Sequence, residues 1–425
     1  MKNFILPVFV FYIFILLTSL PFVNLGDYGG LILCFLLICY AWVPHLYSRN
    51  KNYINLFSFI YLLLVFQGVF FFVFGFSEFK YLSRGVSTSL NIISTIILAF
   101  WLKDMYGKKS IDILIKGYMI SYSIVIILAI ILFGFYPVFN STFSLFFRGF
   151  AGLKENLNSS ECEGFLEQAH AFLLISPLMV LFYIFDFSKD KEIQKRVTGV
   201  VLFFMALMAY KRIAIGAACV VAVLFALKRF YSKSLLIFSG LVSITCLLLY
   251  VYLIKTDIIY LYADDLGVNL MFRDKLWPVF KAYYSFDISF MGQGWDFVSK
   301  FLHENNVKLV GVKIGGLHND ILRLYIDLGF IGSIIYFATM LIIIPFKLFE
   351  KGEVEASFCW WISQNYLSLI YFTDNALIYM PCQLIVYTYT ICKFKPVLLR
   401  QKVNRGGRKY LRKFSLRNKT IWINY

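Results

Sequence analysis

The sequence predicts an all-α polytopic membrane protein of about twelve transmembrane helices, with both termini cytoplasmic and large loops on the outer side. Three observations carry this. Of 425 residues, 60% are hydrophobic and only 15% charged, whereas a soluble domain keeps roughly a quarter of its residues charged to wet its surface. Apolar runs of about 18 or more residues, the length that crosses a ~30 Å hydrocarbon layer, recur along the chain. Lys and Arg gather in alternate gaps between those runs.

Spans are predicted near 4–23, 31–47, 54–76, 86–102, 111–135, 169–187, 197–210, 213–227, 234–254, 328–346, 354–372 and 375–392. The first run carries one Lys and no small-residue cleavage site after it, so it reads as a spanning helix and not as a signal peptide. With Met1 inside, the even-numbered gaps hold Arg49/Lys51, Lys103/Lys108/Lys109, Lys189/Lys191/Lys195/Arg196, Lys228/Arg229/Lys233 and Lys347/Lys351. Lys and Arg resist transfer, so such clusters mark the cytoplasmic side. Residues 1–392 form the transmembrane domain, and residues 393–425 form a basic cytoplasmic tail.

The run 197–227 must break at Lys211-Arg212, because a single helix there would turn the basic tail outward. Each half is then about 14 residues, roughly 21 Å at 1.5 Å per residue, which sets Arg212 below the outer membrane surface. An Arg at that depth should face the protein interior, since exposure to lipid costs about 2.5–3.5 kcal/mol.

Of the eight Cys, most lie in apolar runs and no C-x-x-C pair occurs, which excludes a disulfide framework and a Cys metal site. The formal charge of +17 is spread between apolar runs and along the tail, a pattern of membrane orientation that excludes a nucleic-acid face. P-loop and serine-hydrolase signatures are absent. The long outer loops, 136–168 and 255–327, contain no Asp-x-Asp, so no metal site and no cofactor is expected.

Chemistry is sought in those loops. In MFRDKLWPVFKAYYSF, helical spacing puts Phe272, Leu276, Val279, Phe280 and Tyr283 on one stripe, leaving Arg273, Asp274, Trp277 and Lys281 off it. A plain interfacial helix whose Arg273 touches lipid phosphate is one reading. MGQGW follows, with Gly292 and Gly294 allowing close backbone approach, and then HND, with His318 and Asn319 at a helix start. His170, His303 and His45 are weaker candidates, and Asp264-Asp265 reads as a solvated turn. Two guanidiniums can clamp a pyrophosphate, and a His can take a proton from an attacking hydroxyl. Arg212, Arg273 and His318 therefore fit transfer of a group from a pyrophosphate to an alcohol. Trp277 and Trp295 are candidates for stacking on sugars.

At these residues the chain resembles the Wzy polymerase / O-antigen ligase superfamily. FRDKLW, MGQGW and HNDILRLYIDLGFIG carry the likeness in order, and AYKRIAIGA resembles the superfamily's outer-turn arginine segment. The resemblance implies a GT-C-like, metal-independent glycosyltransferase working on undecaprenyl-pyrophosphate-linked glycans outside the bacterial inner membrane. It assigns pyrophosphate binding to Arg212 and Arg273 and the base to His318, with Arg148 and Gly164 as an arginine–glycine element. Lys211 stands where a small polar residue is common and joins the substrate-binding candidates. Partners expected are the lipid-linked donor and acceptor, membrane lipids and a chain-length regulator protein. O-antigen polymerase is the leading reading. An O-antigen ligase or a lipid-oligosaccharide flippase is the alternative, although a transporter should show charges within several spans and repeat-like halves.

Overall fold

The computed structural model describes residues 43–141, 162, 166, 170–187, 199, 212–265, 270, 273–305, 308–309, 312–313, 316–377, 379–395, 411–416 and 419–424. The helices are α1 Val43–Val73, α2 Phe79–Tyr106, α3 Ser110–Phe133, α4 His170–Phe187, α5 Arg212–Ala226 and α6 Lys233–Lys255. After them come α7 Ile258–Asp265, α8 Arg273–Leu276, α9 Phe297–Glu304, α10 Asp320–Ala338, α11 Ile344–Glu350, α12 Val354–Ile370 and α13 Met380–Cys392. Two antiparallel ribbons, Lys308–Leu309 with Val312–Lys313 and Leu411–Leu416 with Lys419–Asn424, add a little strand to the predicted all-helical chain.

Among the described residues, six helical stretches are long and apolar enough to cross a membrane: Asn50–Val73, Phe79–Tyr106, Ser110–Phe133, Ile213–Phe230, Lys233–Lys255 and Asp320–Glu350. The predicted spans 4–23 and 197–210 lie outside the described residues. So does most of 31–47, whose last residues, 43–47, open α1. α12 and α13 are shorter and nearly everywhere buried, which makes them the centre of the bundle. α1 sets Phe57 tilted against Trp360 and edge-on to Tyr387 of these helices and turns Phe59, Phe66 and Phe70 outward. An apolar outer surface of that kind matches hydrocarbon and not water.

Buried hydroxyls on α2 are satisfied locally: Ser94 and Thr95 donate to the carbonyls of Leu90 and Asn91, at 2.6 and 2.8 Å. α10 reaches α11 through a wide π-turn, Thr339–Ile343, where the Trp360 indole N–H donates to the Met340 carbonyl at 2.8 Å.

The two ends of the bundle differ in chemistry. At one end Lys351 lies over Tyr53, Lys103 over Phe394 and Lys233 over Phe346, and Lys228 pairs with Glu355 at 2.6 Å. Among the described residues these come from three of the basic clusters that alternate in sequence, now gathered at one end; the Lys189–Arg196 cluster lies outside the described residues. At the other end α2 and α10 meet α9, α6 meets α7, and α8 brings Arg273 to the turn before α13.

There the predicted span near 328–346 begins earlier, at Asp320, and is broken at Gly329 (φ 76°, ψ −176°). The break strands carbonyls, and the MGQGW segment supplies their donors. Gln293 and Gly294 N–H groups donate to the Ile326 and Asp327 carbonyls, each at 2.9 Å, and Phe330 N–H donates to the Phe290 carbonyl at 2.9 Å. The backbones touch so closely that a Cβ on Gly292 would stand 2.5 Å from the Asp327 carbonyl oxygen, and one on Gly329 would overlap the Phe290 carbonyl. Both residues also have positive φ, which only Gly adopts without strain.

Gly292→Ala and Gly329→Ala should therefore lower the melting temperature of the detergent-purified protein well beyond Gly75→Ala. Gly75 shares a positive φ (73°) but a Cβ there meets nothing within 4 Å, so it carries only the backbone strain of about 1–2 kcal/mol. Equal losses at the three positions would show that the close approach contributes nothing.

Candidate active site

His318 sits in the turn before α10 with left-handed backbone (φ 52°) and a side chain 43% exposed. Its neighbours are fixed on both sides. Leu317 is buried, and its carbonyl accepts the Trp277 indole N–H at 3.1 Å. Asn319 is the N-cap of α10: its Oδ1 accepts the Leu322 N–H at 2.9 Å, and its Nδ2 donates to the Tyr250 hydroxyl at 3.3 Å. Gly316 passes so close to Asn375 that a Cβ would overlap that side chain.

The turn joining α12 to α13 faces His318. Asp374, fully buried, places Oδ1 3.9 Å from His318 Nδ1. That distance is too long for a hydrogen bond and lies within ion-pair range. The same Oδ1 accepts the Asn375 N–H at 2.9 Å.

Arg273 comes to this turn from α8. One terminal nitrogen donates to the Thr373 carbonyl at 2.7 Å, the other to the Leu270 carbonyl at 3.2 Å, and Nε is buried with no partner among the described residues. Burial pulls the guanidinium below its ordinary pKa, and the Asp374 carboxylate opposes that shift. Tyr250 closes the group, donating to the Phe372 carbonyl at 2.8 Å and setting its ring edge-on to Trp277. His318, Asn319, Arg273 and Trp277 thus meet around a turn that the sequence reading did not single out.

Other predicted residues fall differently. Arg212 is the first residue of α5, and its side chain lies outside the described residues, as do Lys211, Arg148 and Gly164. α5 packs against α12 with its C-terminal Phe225 on Phe358 near the start of α12, so the two helices run antiparallel. The start of α5 therefore lies toward the end where α12 runs into Asp374.

Trp277 and Trp295 are 1% and 2% exposed, so neither offers a face to a sugar. The Trp295 indole donates to Ser89 Oγ at 3.0 Å. Trp277 was expected off the apolar stripe, but residues 277–283 form a 3₁₀ helix. With three residues per turn, Trp277, Phe280 and Tyr283 share one face, and Val279 is exposed. Gly292 does serve close approach, to α10 backbone, whereas a Cβ on Gly294 would meet only the Ser77 and Phe71 side chains, at 3.6 and 3.7 Å. Asp264 and Asp265 are exposed at the end of α7, as expected.

Behind the site lies a cluster absent from the sequence reading. Arg323, 2% exposed, bonds Asp296 and stands 3.7 Å from Asp320 and 3.8 Å from Asp327. Asp296 also accepts from Thr88 at 2.6 Å and pairs with Arg84 of α2 at 3.3 Å. The Asp327 carboxylate accepts the N–H groups of Asp296 and Val298, both at 3.0 Å. Asp320 accepts the Leu377 N–H at 2.6 Å. The signal was available: ionisable residues at i, i+3 and i+7 entering an apolar span are costly unless they do something.

An exposed imidazole backed by a buried carboxylate can take a proton, and the guanidinium beside it can hold an anion. Inorganic pyrophosphate should raise the melting temperature of the wild-type protein by mass action, and Arg273→Lys should abolish the rise because an ammonium lacks the planar fork. An undiminished rise in Arg273→Lys would remove Arg273 from anion binding.

No curated protein and no solved structure matches the chain. Residues 197–337, the segment holding Arg212, Arg273 and His318, match the family model described as O-antigen ligase, which agrees with the Wzy polymerase / O-antigen ligase superfamily.

Proposed function

We propose that the protein is an O-antigen polymerase, a GT-C-like glycosyltransferase that joins undecaprenyl-pyrophosphate-linked repeat units at the periplasmic face of the bacterial inner membrane. The observation that carries this reading is the meeting of His318, Asp374 and Arg273 at the end of the bundle opposite the basic clusters.

The acceptor hydroxyl of one lipid-linked unit loses its proton to His318. Nδ1 is the nitrogen nearer Asp374, so Nε2 is the one left for that proton. The acceptor oxygen bonds to the anomeric carbon of the growing glycan, and the bond from that carbon to the pyrophosphate oxygen breaks. Asp374 stabilises the imidazolium formed. Arg273, with Arg212 from the start of α5, takes up the charge on departing undecaprenyl pyrophosphate. Lys211 and Arg148 are further candidates for the phosphates, and a chain-length regulator protein is a candidate partner. No step requires a metal.

The basic end faces the cytoplasm in this reading, with both termini inside and twelve spans. Reporter fusions should place 136–168 and 255–327 outside and the tail inside. A tail reporter active only in the periplasm would overturn that arrangement.

Purified protein should polymerise lipid-linked units in excess EDTA, whereas His318→Ala should bind them without turnover. Loss of activity to chelator, restored by magnesium or manganese, would reverse the metal-free assignment.

A second reading, O-antigen ligase, is favoured by the description of the matching family model. It uses the same donor with a lipid A core acceptor. The deletion strain separates them. A polymerase deletion leaves core carrying a single repeat, restored to long chains by wild type and not by His318→Ala. Long lipid-linked polymer with bare core would establish the ligase instead.

A further inference from the structure

The cluster around Arg323 lies behind His318 and Arg273, and it joins two of the three segments on which the candidate site is built, the turn before α10 and the 371–377 turn. Asp320 is the first residue of α10, two after His318. Its Oδ2 accepts the Leu377 N–H at 2.6 Å, which ties the α10 start to the turn carrying Thr373 and Asp374. Arg323, one turn further, binds Asp296 and faces Asp320 and Asp327. Through Asp296 the link continues to Thr88 and Arg84 of α2, and through Asp327 to the backbone after MGQGW.

We infer that Asp320 and Arg323 are positioning residues: they hold the turn before α10 against the 371–377 turn, so that His318 stays in register with Asp374 and Arg273. The geometry favours this over a role in stability alone. Buried ion pairs contribute little net stability, because desolvation offsets the attraction. Replacing this cluster by apolar packing would cost the bundle little, but it would leave the two turns joined by few directional contacts. A backbone tie between them, the Ile321 N–H to the Tyr371 carbonyl at 3.5 Å, is at the limit of a hydrogen bond. His318 is held in a left-handed turn, and Nδ1 already stands 3.9 Å from its carboxylate. A further displacement of about 1 Å would cost on the order of 10²-fold in turnover.

The test uses the full-length protein in detergent with Asp320→Ala, Asp320→Asn and Arg323→Met. Hydrogen exchange read by mass spectrometry should quicken in peptides covering 316–320, 292–298 and 371–377, with the spanning parts of α12 and α13 unchanged. Asp320→Asn keeps an oxygen for the Leu377 N–H and should recover most of the protection that Asp320→Ala loses. This arm makes no use of the reaction.

The kinetic arm rests on the transferase reading. Turnover should fall about 10²-fold in Asp320→Ala and Arg323→Met, with KM for the lipid-linked donor within about threefold of wild type. Asp320→Asn should lie between Asp320→Ala and wild type. Unchanged exchange at 371–377 in Asp320→Ala overturns the tie. Exchange rising equally throughout α12 and α13 in the Asp320 variants, which leave Arg323 its other two carboxylates, makes the cluster a stability element and overturns the positioning role, as does wild-type turnover in Asp320→Ala and Arg323→Met. A wild-type protein that transfers no glycan, with the local exchange pattern present, overturns the transferase reading and leaves the tie standing.

Discussion

A guanidinium sealed among carboxylates at the start of a membrane helix constrains everything around it. Arg323 has almost no contact with solvent, and exposing it to lipid would cost about 2.5–3.5 kcal/mol, so its partners must come to it. Asp320 and Asp327 arrive by helical spacing from α10 itself. Asp296 arrives from a loop, in a left-handed conformation that a non-glycine residue adopts only when its surroundings hold it there. The loop is therefore pinned to α10, and α2 to the loop through Arg84 and Thr88.

The break at Gly329 makes this pinning possible. A continuous α10 would keep its carbonyls to itself and leave the MGQGW segment without partners. Interrupted, the helix exposes the Ile326 and Asp327 carbonyls to the Gln293 and Gly294 amides. The glycines at 292 and 329 are needed because two backbones meet where no side chain fits. Polar backbone inside a membrane is tolerated only where protein satisfies it, and here it is satisfied pairwise.

The site depends on this framework without being part of it. His318, Asp374 and Arg273 stand on three separate segments, each anchored through backbone carbonyls or amides: Leu317 to Trp277, Asn375 to Asp374, Thr373 and Leu270 to Arg273. A carboxylate buried beside an exposed imidazole and a half-buried guanidinium forms a preorganised field, which is what a reaction that separates a proton from an anionic leaving group requires.

Membrane class, the gathering of basic residues at one end, and His318 and Arg273 as candidates for one site were legible in the sequence. Each rests on a local quantity: hydropathy over one helix length, charge in one gap, or residue type in one motif. The 3₁₀ twist that buries Trp277 was not legible, because a seven-residue segment fits either helical period and packing chose between them. Nor was Asp374, which lies 56 residues after His318 in a turn between two apolar helices and becomes part of the site only when α12 and α13 return beside α10. The spacing of Asp320, Arg323 and Asp327 marks a charged stripe entering an apolar span, but that Asp296 completes it follows only from the loop packing against α10. Local hydropathy determined which helices are long and apolar enough to cross a membrane. Tertiary packing alone decided which charges could be buried, because a buried charge is defined by partners that are distant in the chain.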